Sequence, residues 1–132
     1  MKQIFLDTNI IARFFIGYIP DQKAIADDVF TKAVRGDLRL FILPEVFIEF
    51  HYVCLHHYNL HKNQIIDSLT ELLELPIIEM EDKDIFLSSL NLYKDKNLSL
   101  EDSYFISYCL NKSIDFISFD KKALNVYEPQ AK

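Results

Sequence analysis

The sequence predicts an α/β fold: a three-layer α/β/α sandwich around a mostly parallel sheet of four to five strands. Four short apolar runs, residues 2–6, 38–43, 77–80 and 116–119, are separated by segments with helical spacing. The runs are short and strongly apolar, as in strands buried on both faces of a parallel sheet. With 2 glycines and 4 prolines in 132 residues, turn formers are too scarce for an all-β sandwich, which needs a turn every ~8–12 residues.

The elements follow in order. Residues 2–6 (KQIFL) form a β-prone run that Asp7-Thr8-Asn9 ends. Residues 10–16 read as an apolar helix stopped by Gly17. Residues 21–35 read as a helix with Ala24, Ile25, Val29 and Ala33 as its apolar positions; Asp21 opens it after Pro20 and Gly36 closes it. Residues 38–43 (LRLFIL) are the second strand. Pro44 suits a first helical position, and an unusually apolar helix follows over 45–57. Residues 61–75 place Ile65, Leu69, Leu72 and Leu73 on one helical stripe. Pro76 introduces a third strand at 77–80, followed by helices at 82–94 and 99–111. Ser99-Leu100-Glu101-Asp102 has the form of a capping box. Residues 116–119 are expected to be the fourth strand, ending at Asp120. Val126-Tyr127 is expected to be a last short strand, and 129–132 a tail. No repeat, linker or low-complexity stretch divides the chain, so 1–132 reads as one domain with right-handed crossovers.

No run approaches the ~18–20 apolar residues of a membrane span, and Asp7 interrupts the first apolar run too early for a signal peptide. The expected compartment is the cytoplasm, with Cys54 and Cys109 as buried free thiols. Two glycines exclude a Gly-rich phosphate loop. With 14 Lys+Arg against 20 Asp+Glu, the net charge is −6, which argues against a simple basic-patch nucleic-acid binder.

That acidity is concentrated. In open α/β sheets, ligands bind beyond the carboxyl ends of the strands. Asp7 directly follows the first strand, Asp120 follows the fourth, and Asp102 lies in the first turn of the helix feeding the fourth. Glu49 lies one turn into the helix that leaves the second strand. Asp7 and Asp120 also read as helix caps and Asp102 as part of a capping box. Glu49, among Val46, Phe47, Ile48, Phe50, Tyr52 and Val53, is expected to be at least partly buried, and a buried carboxylate needs a partner. A divalent ion, Mg²⁺ or Mn²⁺, is the shared cause that would hold four mutually repelling carboxylates together. Such a site suits phosphodiester hydrolysis. Without these four residues the balance is 14 basic against 16 acidic, or −2.

The segments IFLDTNIIARFF, LPEVFIEFHYVCLHHYNL and LSLEDSYFISYCLNKSIDFISFDKKAL resemble, in order and spacing, the PIN-domain family, in particular VapC-type toxin ribonucleases. The resemblance spans about residues 2–127 and implies a mostly parallel five-stranded sheet between helices. It implies Mg²⁺- or Mn²⁺-dependent cleavage of RNA, with Asp7, Glu49 and Asp102 at the metal and Ser118 and Asp120 at the family's fourth position. Asn9 matches the polar residue beside the first Asp. Thr8, Asn9 and Ser118 are then expected to orient ligands or waters around the ion, and Arg13, Lys121 and Lys122 to approach RNA phosphates. Each base also reads as a solvated surface charge. Many family members are toxins held by a small antitoxin, and many are homodimers. The chain departs from the family at Glu101-Asp102-Ser103, where a small or apolar residue more often precedes the Asp and Ala follows it. Glu45 raises a question of register with Glu49, and its place after Pro44 suits a helix-start charge.

Other chemistries fit less well. His51, His56, His57 and His61 lack HExxH or interleaved cysteines for zinc. Asp7-Thr8-Asn9 lacks the DxD of a haloacid-dehalogenase-type phosphatase, and no strand carries the acids of a receiver domain or a nucleophile elbow. The alternative to a metal-dependent endoribonuclease is a catalytically silent PIN-like module that binds RNA or protein.

Overall fold

The computed structural model describes residues 2–131. Its elements are β1 (Lys2–Phe5), α1 (Thr8–Phe15), α2 (Pro20–Val34), β2 (Leu38–Phe41), α3 (Pro44–His56), α4 (Lys62–Glu74), β3 (Ile78–Glu79), α5 (Lys83–Asp95), α6 (Leu100–Lys112) and α7 (Lys121–Gln130). The expected α/β class with a parallel sheet is found, and the first three strands and first six helices lie within two residues of their expected bounds. Punctuation explains this. Pro20 and Pro44 start α2 and α3, Ser99 caps α6, and Gly36 turns the chain after α2 with φ 86°, a left-handed conformation that glycine adopts freely.

The sheet runs β1-β2-β3, all parallel. Ile4 pairs with Leu40, and Leu40 with Ile78. The ladder continues past β1 and β2, where Leu6 N–H donates to the Phe41 carbonyl and Ile42 N–H to the Glu79 carbonyl, both at 2.9 Å. Arg39 clasps Glu79 across β2 and β3, with Nε–H donating to Oε2 at 2.7 Å, and this holds the Glu79 carboxyl below its ordinary value.

The main core joins sheet residues Leu6, Leu40, Ile42 and Ile78 to Phe47 and Phe50 of α3, Leu69 and Leu73 of α4, and Phe86 and Leu90 of α5. A satellite cluster of Leu98, Ile106, Ala123 and Tyr127 fixes α7 to α6, and α6 packs along α5.

Two strand expectations are corrected. Residues 116–119 form no strand, and among the described residues the sheet has three strands, not four to five. The chain leaves α6 through left-handed Ser113, and Ile114 N–H returns to the Cys109 carbonyl at 2.9 Å. This turn sends the segment toward α7, where Phe116 packs on Tyr127 at 5.5 Å between ring centroids. Ile117 and Phe119 are left 92% and 104% exposed, and β1 remains an edge strand with Phe5 half exposed. Local contact thus takes the place of a distant parallel pairing, which carries a larger ordering cost. Val126-Tyr127 lies inside α7 because Asp120 caps a helix whose Ala123 and Tyr127, four residues apart, bury one face. The expected tail is corrected as well: Pro129 and Gln130 belong to α7, Ala131 follows it, and Lys132 lies outside the described residues.

Cys54 is buried and Cys109 half-buried; both are free, and burial pushes the Cys54 thiol up to about 11. No described helix is long and apolar enough to cross a membrane.

One buried polar pair sits in the α3–α5 contact. His51, 2% exposed, places Nε2 2.6 Å from the Tyr93 hydroxyl, and its Nδ1 has no partner. Burial, then the charges of His56 and Lys62, lower its pKa from 6.5 to about 4. The unfolded chain therefore takes up this proton first as pH falls. The stability held above pH 6.5 declines toward pH 4, by at most about 3 kcal/mol. Urea denaturation at pH 7, 5.5 and 4.5 tests this: relative to His51→Leu, the native protein is expected to lose stability as the pH drops, and a constant difference between the two would refute it.

Candidate active site

Three of the four candidate carboxylates stand at helix beginnings, where peptide N–H groups lack partners within the helix. Asp7 follows the last paired residues of β1 and is the N-cap of α1; its Oδ1 accepts the Ile10 N–H at 3.1 Å. Asp120 is the N-cap of α7; its Oδ1 accepts from Lys122 N–H at 2.9 Å and Ala123 N–H at 3.3 Å. Ser118 Oγ accepts the Asp120 N–H at 3.0 Å, so Ser118 and Asp120 share one turn. Asp102 is in the first turn of α6, where Ser99 Oγ accepts its N–H at 3.0 Å and its carboxylate takes no part in that bond. The cap readings of Asp7 and Asp120 are thus realised, and each cap occupies one carboxylate oxygen.

Glu49 differs from expectation. It is exposed, because α3 buries Val46, Phe47, Phe50, His51 and Cys54 and turns Glu49 outward. Tyr52, three residues on and on the same helix face, reaches toward the start of α6. Its phenol is pushed up by burial, then by the carboxylates of Glu101 and Asp102. Tyr52 thereby brings the Glu49 face of α3 near Glu101, with Asp102 beside it.

Asp7, Asn9, Ile10, Arg13, Gln22 and Ile25 line a cavity of about 270 Å³. Thr8 is buried, and Asn9 is exposed. Arg13 Nε–H donates to Gln22 Oε1 at 2.8 Å and Nη1–H to the Tyr58 hydroxyl at 3.1 Å. Lys121 and Lys122 are exposed in the first turn of α7. The structure therefore brings Asp7, Asn9 and Arg13 together, Tyr52 to the Glu101–Asp102 turn, and Asp120 to Ser118. Sequence reasoning missed Tyr52, Gln22 and Tyr58, whose roles depend on contacts between separate parts of the fold and leave no local pattern.

The PIN domain family pattern matches residues 4–129. The chain belongs to the PIN-domain family. No curated protein and no solved structure matches it. PIN domains are usually nuclease domains and typically bind divalent metal ions. In this PIN domain the donors suit such an ion in kind, since carboxylate oxygens are the hard ligands that Mg²⁺ and Mn²⁺ take. Their placement does not: among the described residues no three His, Cys, Asp or Glu side chains are grouped to hold one ion.

Asp7 allows charge and fold to be separated. Asn caps helices about as well as Asp. Asp7→Asn is therefore expected to keep stability within about 0.5 kcal/mol of the native protein, whereas Asp7→Ala should lose about 1 kcal/mol. Chemical denaturation of both variants checks this, and equal losses would refute the cap role.

Proposed function

We propose that this PIN domain is a metal-dependent endoribonuclease that hydrolyses RNA phosphodiester bonds with Mg²⁺ or Mn²⁺. In this reading Asp7, Glu49, Asp102 and Asp120 supply the acidic site, while Thr8, Asn9 and Ser118 orient its ligands. Arg13, Lys121 and Lys122 meet the RNA backbone. The protein would be the toxin of a type II toxin–antitoxin pair, acting in the cytoplasm as a homodimer and held by a small antitoxin. The observation that carries the nuclease reading is Asp7, exposed at the carboxyl end of β1 in one cavity with Arg13, within a chain matched to the PIN family over residues 4–129. The VapC-like order of the acidic segments supports the toxin role.

The second reading is a silent PIN module that binds RNA or protein. It is favoured by the absence, among the described residues, of three carboxylates grouped for one ion.

Purified protein incubated with RNA and Mn²⁺, with and without EDTA, separates the two. Cleavage is expected with Mn²⁺, none with EDTA, and a fall of about 100-fold or more in Asp7→Asn. Full metal-dependent cleavage by Asp7→Asn would overturn the site, and binding without cleavage across a broad RNA pool would favour the silent module.

A further inference from the structure

The cavity beside Asp7 continues into an arrangement that catalysis by carboxylates leaves unexplained. Arg13 carries a full positive charge, and among the described residues no carboxylate lies within ion-pair distance of it. Two neutral side chains from different parts of the chain aim it instead: Gln22 of α2 through Oε1 and Tyr58, beyond α3, through its hydroxyl oxygen. These bonds use two of the five guanidinium N–H donors. The trio keeps free donors: the other guanidinium N–H groups, the Gln22 amide NH₂ and the Tyr58 O–H. The free N–H and O–H groups of this trio, around a cation with no ion-pair partner among the described residues, suit an anionic acceptor such as a phosphate oxygen.

Tyr58 has a second task. Its ring lies 5.3 Å from that of Tyr18, tilted by 55°. Tyr18 is 72% exposed, far more than an aromatic ring serving the core. Ile25, at the rim of the same cavity, is 59% exposed. One residue therefore ties a phosphate-type donor cluster to an open aromatic surface. Single-stranded nucleic acid needs these two things side by side: a cation for its backbone and a ring on which a base can stack. A protein surface would match the apolar rim but gives no reason for a cation held among donors.

We propose that Arg13, Gln22, Tyr58 and Tyr18 form a nucleotide subsite, in which Arg13 with its two partners grips one phosphate and Tyr18, backed by Tyr58, stacks the adjoining base. Duplexes are excluded, since their bases are not free to reach Tyr18. The proposal rests on the nuclease reading at one point. Asp7 lines the same cavity and would repel the phosphate unless a cation lies between them.

The test is binding of a fluorescein-labelled, mixed-sequence eight-nucleotide RNA, followed by anisotropy in Ca²⁺ and in EDTA, with gels confirming that it stays intact. Tyr18→Ala is expected to weaken binding about 10-fold with the salt dependence unchanged. Arg13→Gln should weaken it about 10-fold and lower the log–log salt slope by about one. Tyr18→Phe, which keeps the ring, should bind like the native protein, and melting curves establish that each variant is folded. The subsite is overturned if the native protein binds the RNA in neither buffer, if Tyr18→Ala and Arg13→Gln both bind like it, or if the RNA as a duplex binds equally well. Cleavage of the same RNA in Mn²⁺ is scored separately. Cleavage with KM unmoved by Tyr18→Ala overturns the subsite and leaves the nuclease standing. Weakened binding by the variants of a protein that cuts no RNA supports the subsite and removes the nuclease.

Discussion

The parallel pairing of β2 with a strand on either side is the constraint on which the rest of the structure depends. Parallel neighbours cannot be joined by a tight turn, so α1 and α2 must fill the passage from β1 to β2, and α3 and α4 that from β2 to β3. Both passages begin at the same end of the sheet, one at Asp7 and the other at Pro44. The helix-start geometry at Asp7 and the placement of Glu49 one turn into α3 both follow from that crossover. The passage after β3 has no such anchor. Its helices pack on one another, α5 on α6 and α6 on α7, so nothing in the described residues extends the sheet beyond β1.

The capping carboxylates show how one side chain serves fold and chemistry together. A helix beginning presents bare N–H groups and a partial positive charge, which a carboxylate satisfies. Asp7 and Asp120 spend one oxygen on that task. The cap fixes where the carboxylate stands, so its remaining oxygen is held in place by the backbone itself. This explains why a sequence reading of these residues as caps and a reading of them as ligands do not exclude each other.

The charge pattern takes on a sharper form with the structure. A chain of net charge −6 is a poor general binder of polyanions. Arg13 is an exception by placement: two neutral residues orient it, no described carboxylate neutralises it, and it shares a cavity with Asp7. Recognition of a phosphate at such a point depends on one fixed cation and an adjoining ring, with the general surface field contributing little.

The sequence by itself determined the α/β class, three of the strands, the first six helices and the family. These depend on local punctuation, Pro20, Pro44, Ser99 and Gly36, and on apolar spacing within one element, all of which reside in neighbouring residues. It also pointed to Asp7, Asp102 and Asp120 as residues at helix beginnings. Tertiary structure alone decided the rest. Residues 116–119 are apolar enough for a strand, yet strand formation needs a partner edge, and the turn at Ser113 sends them to Tyr127 instead. Glu49 sits in an apolar run, yet its exposure depends on which side of α3 meets the core. Gln22, Tyr58 and Tyr18 gain their meaning from meeting Arg13 or one another across 9 to 45 residues of chain, a proximity that packing creates and local sequence does not encode.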